Sequence, residues 1–200
     1  DFKKANDAVV GGTRAGRDIN SELDERDRIL KKIVEIVPVD INMRDANDMA
    51  LYTAGGLTLF ETSPRTVTFA ETGGFDAGIT GNSVFVDGQP LEVGSGAATT
   101  SQGTLQANLQ IRDDYAPELQ RQLDEIARGL IMAFAEKDQS ATPTQPDMPG
   151  LFTWSGGTML TSGTMQPGVA ASIRVNPALL TASGGNPMLL RDGGINGAAY

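Results

Sequence analysis

Apolar and small side chains recur at alternating spacings of four and three residues along residues 104–137. This spacing is typical of a long helix that packs lengthwise on other helices. Because Pro117 lies inside the pattern and proline cannot donate the helical hydrogen bond, the sequence also predicts a kink or a tight break there. All members of the row except Arg112 are apolar or small: Leu105, Leu109, Arg112, Ala116, Leu119, Leu123, Ile126, Leu130 and Ala133.

Residues 1–37 keep the same spacing and therefore also predict helix. Three glycines between residues 11 and 16 interrupt the pattern, and each glycine inside a helix costs about 1 kcal/mol. We expect a short helix that ends near Val10, a loop over residues 11–16, and a second helix that ends at Val37. Pro38 prevents the helix from continuing.

The period changes between residues 39 and 102, where short β-branched and aromatic runs are separated by turn residues. This pattern is typical of an antiparallel β-domain with tight turns. The pair Asp87-Gly88 lies between two such runs and predicts a short hairpin.

The last part of the chain, residues 138–200, is rich in proline, glycine and small polar residues. We expect strands at 157–163 and 171–177 and a helical turn that begins at Pro177. The glycine-rich end after Gly184 predicts extended or partly disordered chain.

These elements predict an α+β fold in which the helices and the strands occupy separate parts of the chain. We expect residues 1–37 and 103–137 to form long antiparallel packed helices, as a coiled-coil-like rod. Residues 38–102 would form an inserted antiparallel β-domain. Residues 138–200 would form a second, irregular β-rich segment that returns to the rod or to the β-domain.

Composition narrows the chemistry of the protein. The net charge of −9 disfavours nucleic acid as a partner, since binding of phosphates needs clustered Lys and Arg. The chain has no cysteine and no histidine, which excludes disulfides, thiolate metal sites and a Ser-His-Asp triad. No apolar run has the length that a membrane span needs, so we expect no membrane insertion. We predict no cofactor, metal-ligating residue or catalytic residue.

Charged residues cluster from Asp24 to Arg28, where the spacing predicts an i,i+4 ion pair between these two residues. Arg26 and Arg112 each take an apolar position of their own helix. In one interpretation they contact a partner or an anion. In the favoured interpretation they are buried or half-buried and pair with an acidic residue of a neighbouring helix. The candidate residues for helix packing or subunit contacts are Arg26, Asp27, Arg112 and Asp113, and the favoured acidic partners also include Asp114.

Three segments carry a resemblance to a known family: LDERDRILKKIVEIVPVDI at residues 23–41, GTLQANLQIRDDYAPELQRQLDEIARGLIMAFA at residues 103–135 and SIRVNPALL at residues 172–180. They resemble, in the same order, three segments of the flagellar hook-associated protein 1 family, the hook–filament junction protein. The first is similar to the family's leucine, aspartate, glutamine, arginine, aspartate motif, with Glu25 in place of the glutamine. The second resembles the family's second conserved segment, and the last resembles its third.

The resemblance implies a structural adaptor between flagellar hook and filament that carries out no catalysis. It implies an extracellular protein that is exported by the flagellar secretion apparatus. Its partners would be the hook protein, other hook-associated proteins, and further copies of itself in a ring-like assembly. It also implies that this chain is a middle fragment without the family's terminal helical regions, which polymerise with neighbouring subunits.

Two other classes of protein remain open from the residues alone. One is an extracellular domain that acts on carbohydrate or peptidoglycan through two carboxylates facing each other across a cleft. The other is a segment of a fibre or an adhesin, in which helical stalks also carry β insertions.

Overall fold

The computed structural model describes residues 1–74, 78–161, 163 and 165–200. It is 40% helical and 17% strand, a mixture of helix and sheet that is compatible with the expected α+β fold, whereas the coiled-coil-like rod is not confirmed. By its internal contacts the chain divides into two compact units, one of Asp1–Phe75 with Thr80–Tyr115 and the other of Asp76–Ile79 with Ala116–Tyr200. The domain limits expected from the sequence stay a prediction.

Two helices open the first unit, α1 (Phe2–Arg14) and α2 (Asn20–Ile36). The expected break between them exists, but α1 runs four residues beyond Val10 and includes Gly11 and Gly12. Gly12 is needed for close approach, because a Cβ there would lie 2.5 Å from Cγ2 of Ile19. The predicted loop over residues 11–16 was therefore too long.

The first sheet lies against these two helices. Its strands are β1 (Val39–Met43), β2 (Met49–Thr53) and β3 (Thr58–Phe60), which pair antiparallel in the order β1-β2-β3. The core of this unit consists of Phe2 of α1 and three strand residues, Met49, Leu51 and Phe60. Helix α2 packs against this core through Ile29, Leu30 and Ile33.

A second sheet follows, with strands β4 (Val67–Phe69), β5 (Val84–Val86), β6 (Gln89–Val93) and β7 (Thr99–Thr100). The Asp87-Gly88 hairpin is confirmed: both residues have positive φ, as a primed turn between twisted strands requires. The expectation of purely antiparallel strands was wrong in one pair, because β7 runs parallel to β6.

Helical residues then follow one another from α3 (Gly103–Gln110) through a π-helical turn (Ile111–Tyr115) to α4 (Ala116–Ala133). The predicted break at Pro117 takes the form of this π turn. A π turn uses i→i+5 hydrogen bonds, so the carbonyl four residues before Pro117 does not need the missing N–H.

The second unit has its core on one face of α4. Ala127 and Ile131 pack against Leu160 and Val169, and Trp154 covers this core. Two strands pair antiparallel, β8 (Phe152–Thr153) and β9 (Arg174–Val175), and a short helix α5 (Val169–Ser172) precedes β9.

One of the two strands expected in this segment is confirmed and the other was wrong: β9 lies within 171–177, but the strand expected at 157–163 does not form among the described residues. Ser162 lies outside the described residues. The paired strand is β8, whose two residues are too few to give a periodic pattern. The helical turn is confirmed at Pro177–Leu179. The end of the chain is not simply extended, since it contains the short helix α6 (Leu189–Asp192).

Candidate functional site

Arg26 is buried within the first unit, with 3% of its surface exposed. Its Nη1 donates hydrogen bonds to the main-chain oxygen of Asn47, at 2.6 Å, and to Oδ1 of Asn6, at 3.2 Å. Nε has no hydrogen-bond partner among the described residues. Burial lowers the pKa of Arg26, because the charged form loses its hydration.

The turn that Arg26 contacts is strained. Ala46 and Asn47 adopt φ of 59° and 60°, which a residue with a side chain rarely does. Asn6 supports the same turn, because its Oδ1 accepts from the amide of Met49 at 3.1 Å and its Nδ2 donates to Asp48 at 2.6 Å. Arg26 and Asn6 together hold the strained turn against α1 and α2.

The expected burial of Arg26 is confirmed, but its expected acidic partner is wrong. The groups that accept its hydrogen bonds are an amide and a carbonyl. Asp27 is exposed and contributes only a secondary electrostatic effect on Arg26. The predicted pair of Asp24 with Arg28 is also replaced, since Arg28 binds Glu25 at 2.7 Å, with the i,i+3 spacing that likewise brings two side chains together on a helix.

Arg112 lies in the π turn and is half-buried. Its guanidinium binds the carboxylate of Asp113 in a bidentate manner, at 2.7 and 2.8 Å, and this hydrogen bonding raises the pKa of Arg112. Nη1 also donates to the carbonyl of Asn82 at 2.9 Å. Gly81 leaves the room for this contact, because a Cβ there would lie 2.5 Å from Cζ of Arg112.

Of the three acidic partners considered for Arg112, the structure selects Asp113, its neighbour in sequence and not a residue of another helix. Arg26 and Arg112 nevertheless have the same structural role. Each guanidinium donates to the main-chain oxygen of a loop and so fixes that loop to a helix. Whether either one, or Asp27, also contacts another subunit stays a prediction.

The row of apolar residues on α4 lies mostly on the surface. We call Leu119, Leu123, Ile126 and Leu130 the apolar stripe; between 40% and 62% of each is exposed. The face of α4 that is buried in the second unit is a different one, carrying Asp124, Ala127 and Ile131. Charges beside the stripe are paired within the helix, Arg121 with Glu118 and Arg128 with Glu125.

Asp124 is a buried carboxylate that the sequence pattern did not reveal. It accepts hydrogen bonds from the amides of Gly168 and Ala170, at 2.9 and 2.8 Å, and from the side chain of Gln120. These amides lie at the start of α5, where a helix leaves its N–H groups without internal partners. Asp124 therefore caps α5 from another helix, and only the contact itself could have shown it.

Two more carboxylates fix the segment that follows α4. Glu136 accepts from the amides of Gly194, Ile195 and Asn196, at 2.8 to 2.9 Å, and from the Asn196 side chain. It thereby holds the last residues of the chain. The Asp138 carboxylate accepts from the amides of Ser140, Thr144 and Gln145 and closes the proline-rich loop.

The hydrogen bonds of Asp138 also affect its ionisation. The hydroxyl of Ser140 and the amides of Gln145, Ser140 and Thr144 hold the pKa of Asp138 far below its usual range. A signal for it existed in the sequence, because an aspartate side chain often accepts a hydrogen bond from the main-chain amide two residues later, here that of Ser140. For Glu136 no local pattern indicates a partner nearly sixty residues away.

Among the described residues, no group of three or more acidic, cysteine or histidine side chains could hold a metal ion. Within the described ranges, no helix has both the length and the apolarity to cross a bilayer.

Residues 2–150 match the family model described as the flagellar hook-associated protein FlgK helical domain. A comparison with curated proteins gave no match. The matched range is well over half of the 200 residues and contains both longer segments on which the resemblance rests. That family consists of structural flagellar proteins and is not an enzyme family. The chain therefore belongs to the family of the flagellar hook-associated protein FlgK helical domain, a component of the bacterial flagellum.

Proposed function

We propose that this chain is a structural adaptor at the junction of flagellar hook and filament, and that it carries out no catalysis. Membership of the family supports a location in the bacterial flagellum and contact with other axial proteins. Three finer statements belong to the proposal: the protein lies at the hook–filament junction, and it is extracellular after export. Its neighbours there are the hook protein, other hook-associated proteins, and further copies of itself in a ring-like assembly.

The apolar stripe on α4 is the observation that carries this proposal. Leu119, Leu123, Ile126 and Leu130 follow the spacing of four, three and four that suits side-by-side helix packing. An isolated apolar side chain on a surface needs no explanation, but a row of four with this spacing is typical of a binding surface. We infer that the stripe packs lengthwise on a helix within the flagellar axis.

The neutral surroundings of the stripe favour a helical partner further. Gln122 and Gly129 lie beside it, and the nearest charged side chains are already paired within α4. A partner helix would therefore not have to desolvate an unpaired charge. The rod of long antiparallel helices expected from residues 1–37 and 103–137 stays a prediction.

The test is a flagellated strain that produces the whole protein with Leu123→Glu. A charge in the centre of the stripe should reduce the number of hooks that carry filaments, counted by electron microscopy. Gln166→Glu adds the same charge at an exposed residue outside α4 and should leave that number close to the unmodified level. Immunoblots of the culture medium would separate a failure of export from a failure of assembly.

Normal filament numbers with Leu123→Glu would reject the stripe as an assembly surface. The absence of catalysis is tested separately, with purified chain and cell-wall glycan. Turnover of the glycan above a buffer control would contradict a purely structural function and would support the alternative of paired carboxylates.

A further inference from the structure

Gly129 is an exposed glycine inside α4. Glycine is among the least favourable residues in a helix interior, so its presence there calls for a structural reason. At Gly12 that reason is the close contact with Ile19, but a Cβ added at Gly129 would have no atom of the described residues within 4 Å. Its φ is not positive either. A packing role of Gly129 therefore has to come from a contact outside these residues.

Gly129 belongs to a hole on the surface of α4. When two helices pack lengthwise, a side chain of one inserts among four residues of the other, which follow the spacing i, i+3, i+4 and i+7. This spacing is found in Ile126, Gly129, Leu130 and Ala133, all of which are exposed. We call these four residues the open hole, because glycine has no side chain and alanine only a methyl group. The open hole shares Ile126 and Leu130 with the apolar stripe.

The hole that precedes it along the stripe is narrower. It is formed seven residues earlier by Leu119, Gln122, Leu123 and Ile126, so a glutamine takes the place of Gly129 and an isoleucine the place of Ala133. A partner helix that lies along the stripe passes over both holes at a similar distance. The open hole therefore accepts a larger side chain of the partner than the preceding hole does.

The surroundings of the open hole favour an uncharged, aromatic occupant. The charged residues beside it, Glu125 and Arg128, pair with each other at 2.7 Å, so a charged side chain in the hole would lose its hydration without gaining an ion pair. Phe134 donates its amide to Leu130 at 3.2 Å and therefore lies one turn further along the helix, with 48% of its surface exposed. Aromatic side chains are the largest apolar ones, and their rings pack favourably on one another.

We propose that the open hole receives an aromatic side chain from a helix of another axial protein, and that Gly129 determines this specificity. The inference rests on the proposed packing of the apolar stripe and adds the chemistry of the partner. Among the described residues, no α-helix exposes an aromatic side chain, because Phe2 is buried and the helices contain no other aromatic residue. These helices of a second copy therefore do not supply the occupant.

Gly129→Gln in the whole protein of a flagellated strain is the first test. It gives the open hole the same side chain that the preceding hole has at Gln122. The number of hooks that carry filaments should fall several-fold, because a closely packed contact does not accept the added atoms. The purified variant should melt about 2–4 °C above the unmodified chain, since glutamine is the better helix former. A loss of filaments without a loss of stability separates the contact from folding.

Gly11→Gln is the matched control. Gly11 is also an exposed glycine inside a helix, and a Cβ added there would likewise have no atom of the described residues within 4 Å. Its neighbours on the surface of α1 are Asp7 and Arg14, so it does not lie beside an apolar row. This variant should melt above the unmodified chain as well, but the number of hooks with filaments should stay close to the unmodified level.

Normal filament numbers with Gly129→Gln would overturn the inference, and so would an equal loss with Gly11→Gln. If Leu123→Glu is defective while Gly129→Gln is normal, only the open hole is rejected and the proposed function stands. Normal numbers with both of these variants would reject both proposals.

Selection for restored motility in the Gly129→Gln strain identifies the occupant of the open hole. We expect second-site changes that replace a phenylalanine, tyrosine or tryptophan in a helix of another axial protein by a smaller residue. Changes that shorten an aliphatic side chain would overturn the aromatic occupant, and changes elsewhere in the same protein would overturn its source. Reversion at residue 129 alone would mean that no single side chain fills the hole, which would also overturn the proposal.

Discussion

The Nη1 atom of Arg26 lies 2.6 Å from the main-chain oxygen of Asn47, in a turn where two successive residues that are not glycine have positive φ. A buried guanidinium thus stabilises a backbone conformation that is unfavourable by itself. The same turn connects β1 to β2, so Arg26 couples α2 to the first sheet.

We expect Arg26→Met to lower the free energy of unfolding by about 1–3 kcal/mol, because the oxygen of Asn47 would lose its donor. The same substitution removes Nε, a buried group with no hydrogen-bond partner in the described ranges. Because the loss of an unpaired buried group is stabilising, the net decrease in the free energy of unfolding should stay moderate. Denaturation by urea, followed by circular dichroism, measures the change.

Arg28→Met serves as the control for this variant. Arg28 forms its ion pair on the exposed side of the same helix, where such pairs contribute little. If both variants unfold at the same urea concentration, Arg26 does not support the turn in the way described.

Replacement of Asp124 should destabilise the second unit. In Asp124→Ala the amides of Gly168 and Ala170 lose the acceptor that caps α5, and we expect a loss of about 2–3 kcal/mol. Hydrogen exchange of residues 168–172 should accelerate in this variant, while α2 in the first unit should exchange as before. Unchanged protection of Ala170 would contradict the capping contact.

Neighbouring glycines in α1 should respond to alanine in opposite ways. Gly11 is exposed, and a methyl group added there would have no atom of the described residues within 4 Å, so Gly11→Ala should stabilise the helix by up to about 1 kcal/mol. At Gly12 the same methyl group would lie 2.5 Å from Cγ2 of Ile19, and Gly12→Ala should be destabilising. Thermal melts of the two variants should shift in opposite directions, and a shared upward shift would show that Ile19 does not pack on Gly12.

Local rules in the sequence were sufficient for the features that depend on neighbouring residues. The Asp87-Gly88 hairpin follows from the φ angles that its turn requires, and the break before Pro117 follows from the missing N–H. Both constraints act within a short stretch of chain. The family, too, could be identified from the order of short segments in the chain.

Features that depend on the partner of a side chain could not be predicted. The spacing along α4 identified an apolar row, but Asp124, outside that row, lies on the buried face. The sequence shows Arg26 at an apolar position of its helix, but it does not show that Arg26 donates a hydrogen bond to a main-chain oxygen. Every residue carries such an oxygen, so no sequence pattern identifies the acceptor. Periodicity therefore shows that a surface is apolar and leaves open what covers it.

Acid should weaken the loop that Asp138 closes. The hydroxyl of Ser140 and the amides of Gln145, Ser140 and Thr144 depress the folded-state pKa of Asp138, whereas in the unfolded chain it should titrate near its ordinary value of about 3.9. A depressed carboxylate pKa contributes stability that is complete above the unfolded value and is lost as the pH falls toward the folded value. Asp138→Asn should therefore be less stable than the unmodified chain at pH 7, and the difference should shrink below about pH 4.

Urea denaturation at pH 7, 5, 4 and 3 measures that difference directly. Asp147→Asn makes the same change of charge at an exposed position of the same segment without removing the amide contacts, so it controls for net charge. Because protonated aspartic acid and asparagine are both neutral and similar in shape, the two proteins should approach equal stability as the pH falls. A difference between Asp138→Asn and the unmodified chain that stays constant from pH 7 to pH 3 would mean that the ionised carboxylate is not what holds the loop.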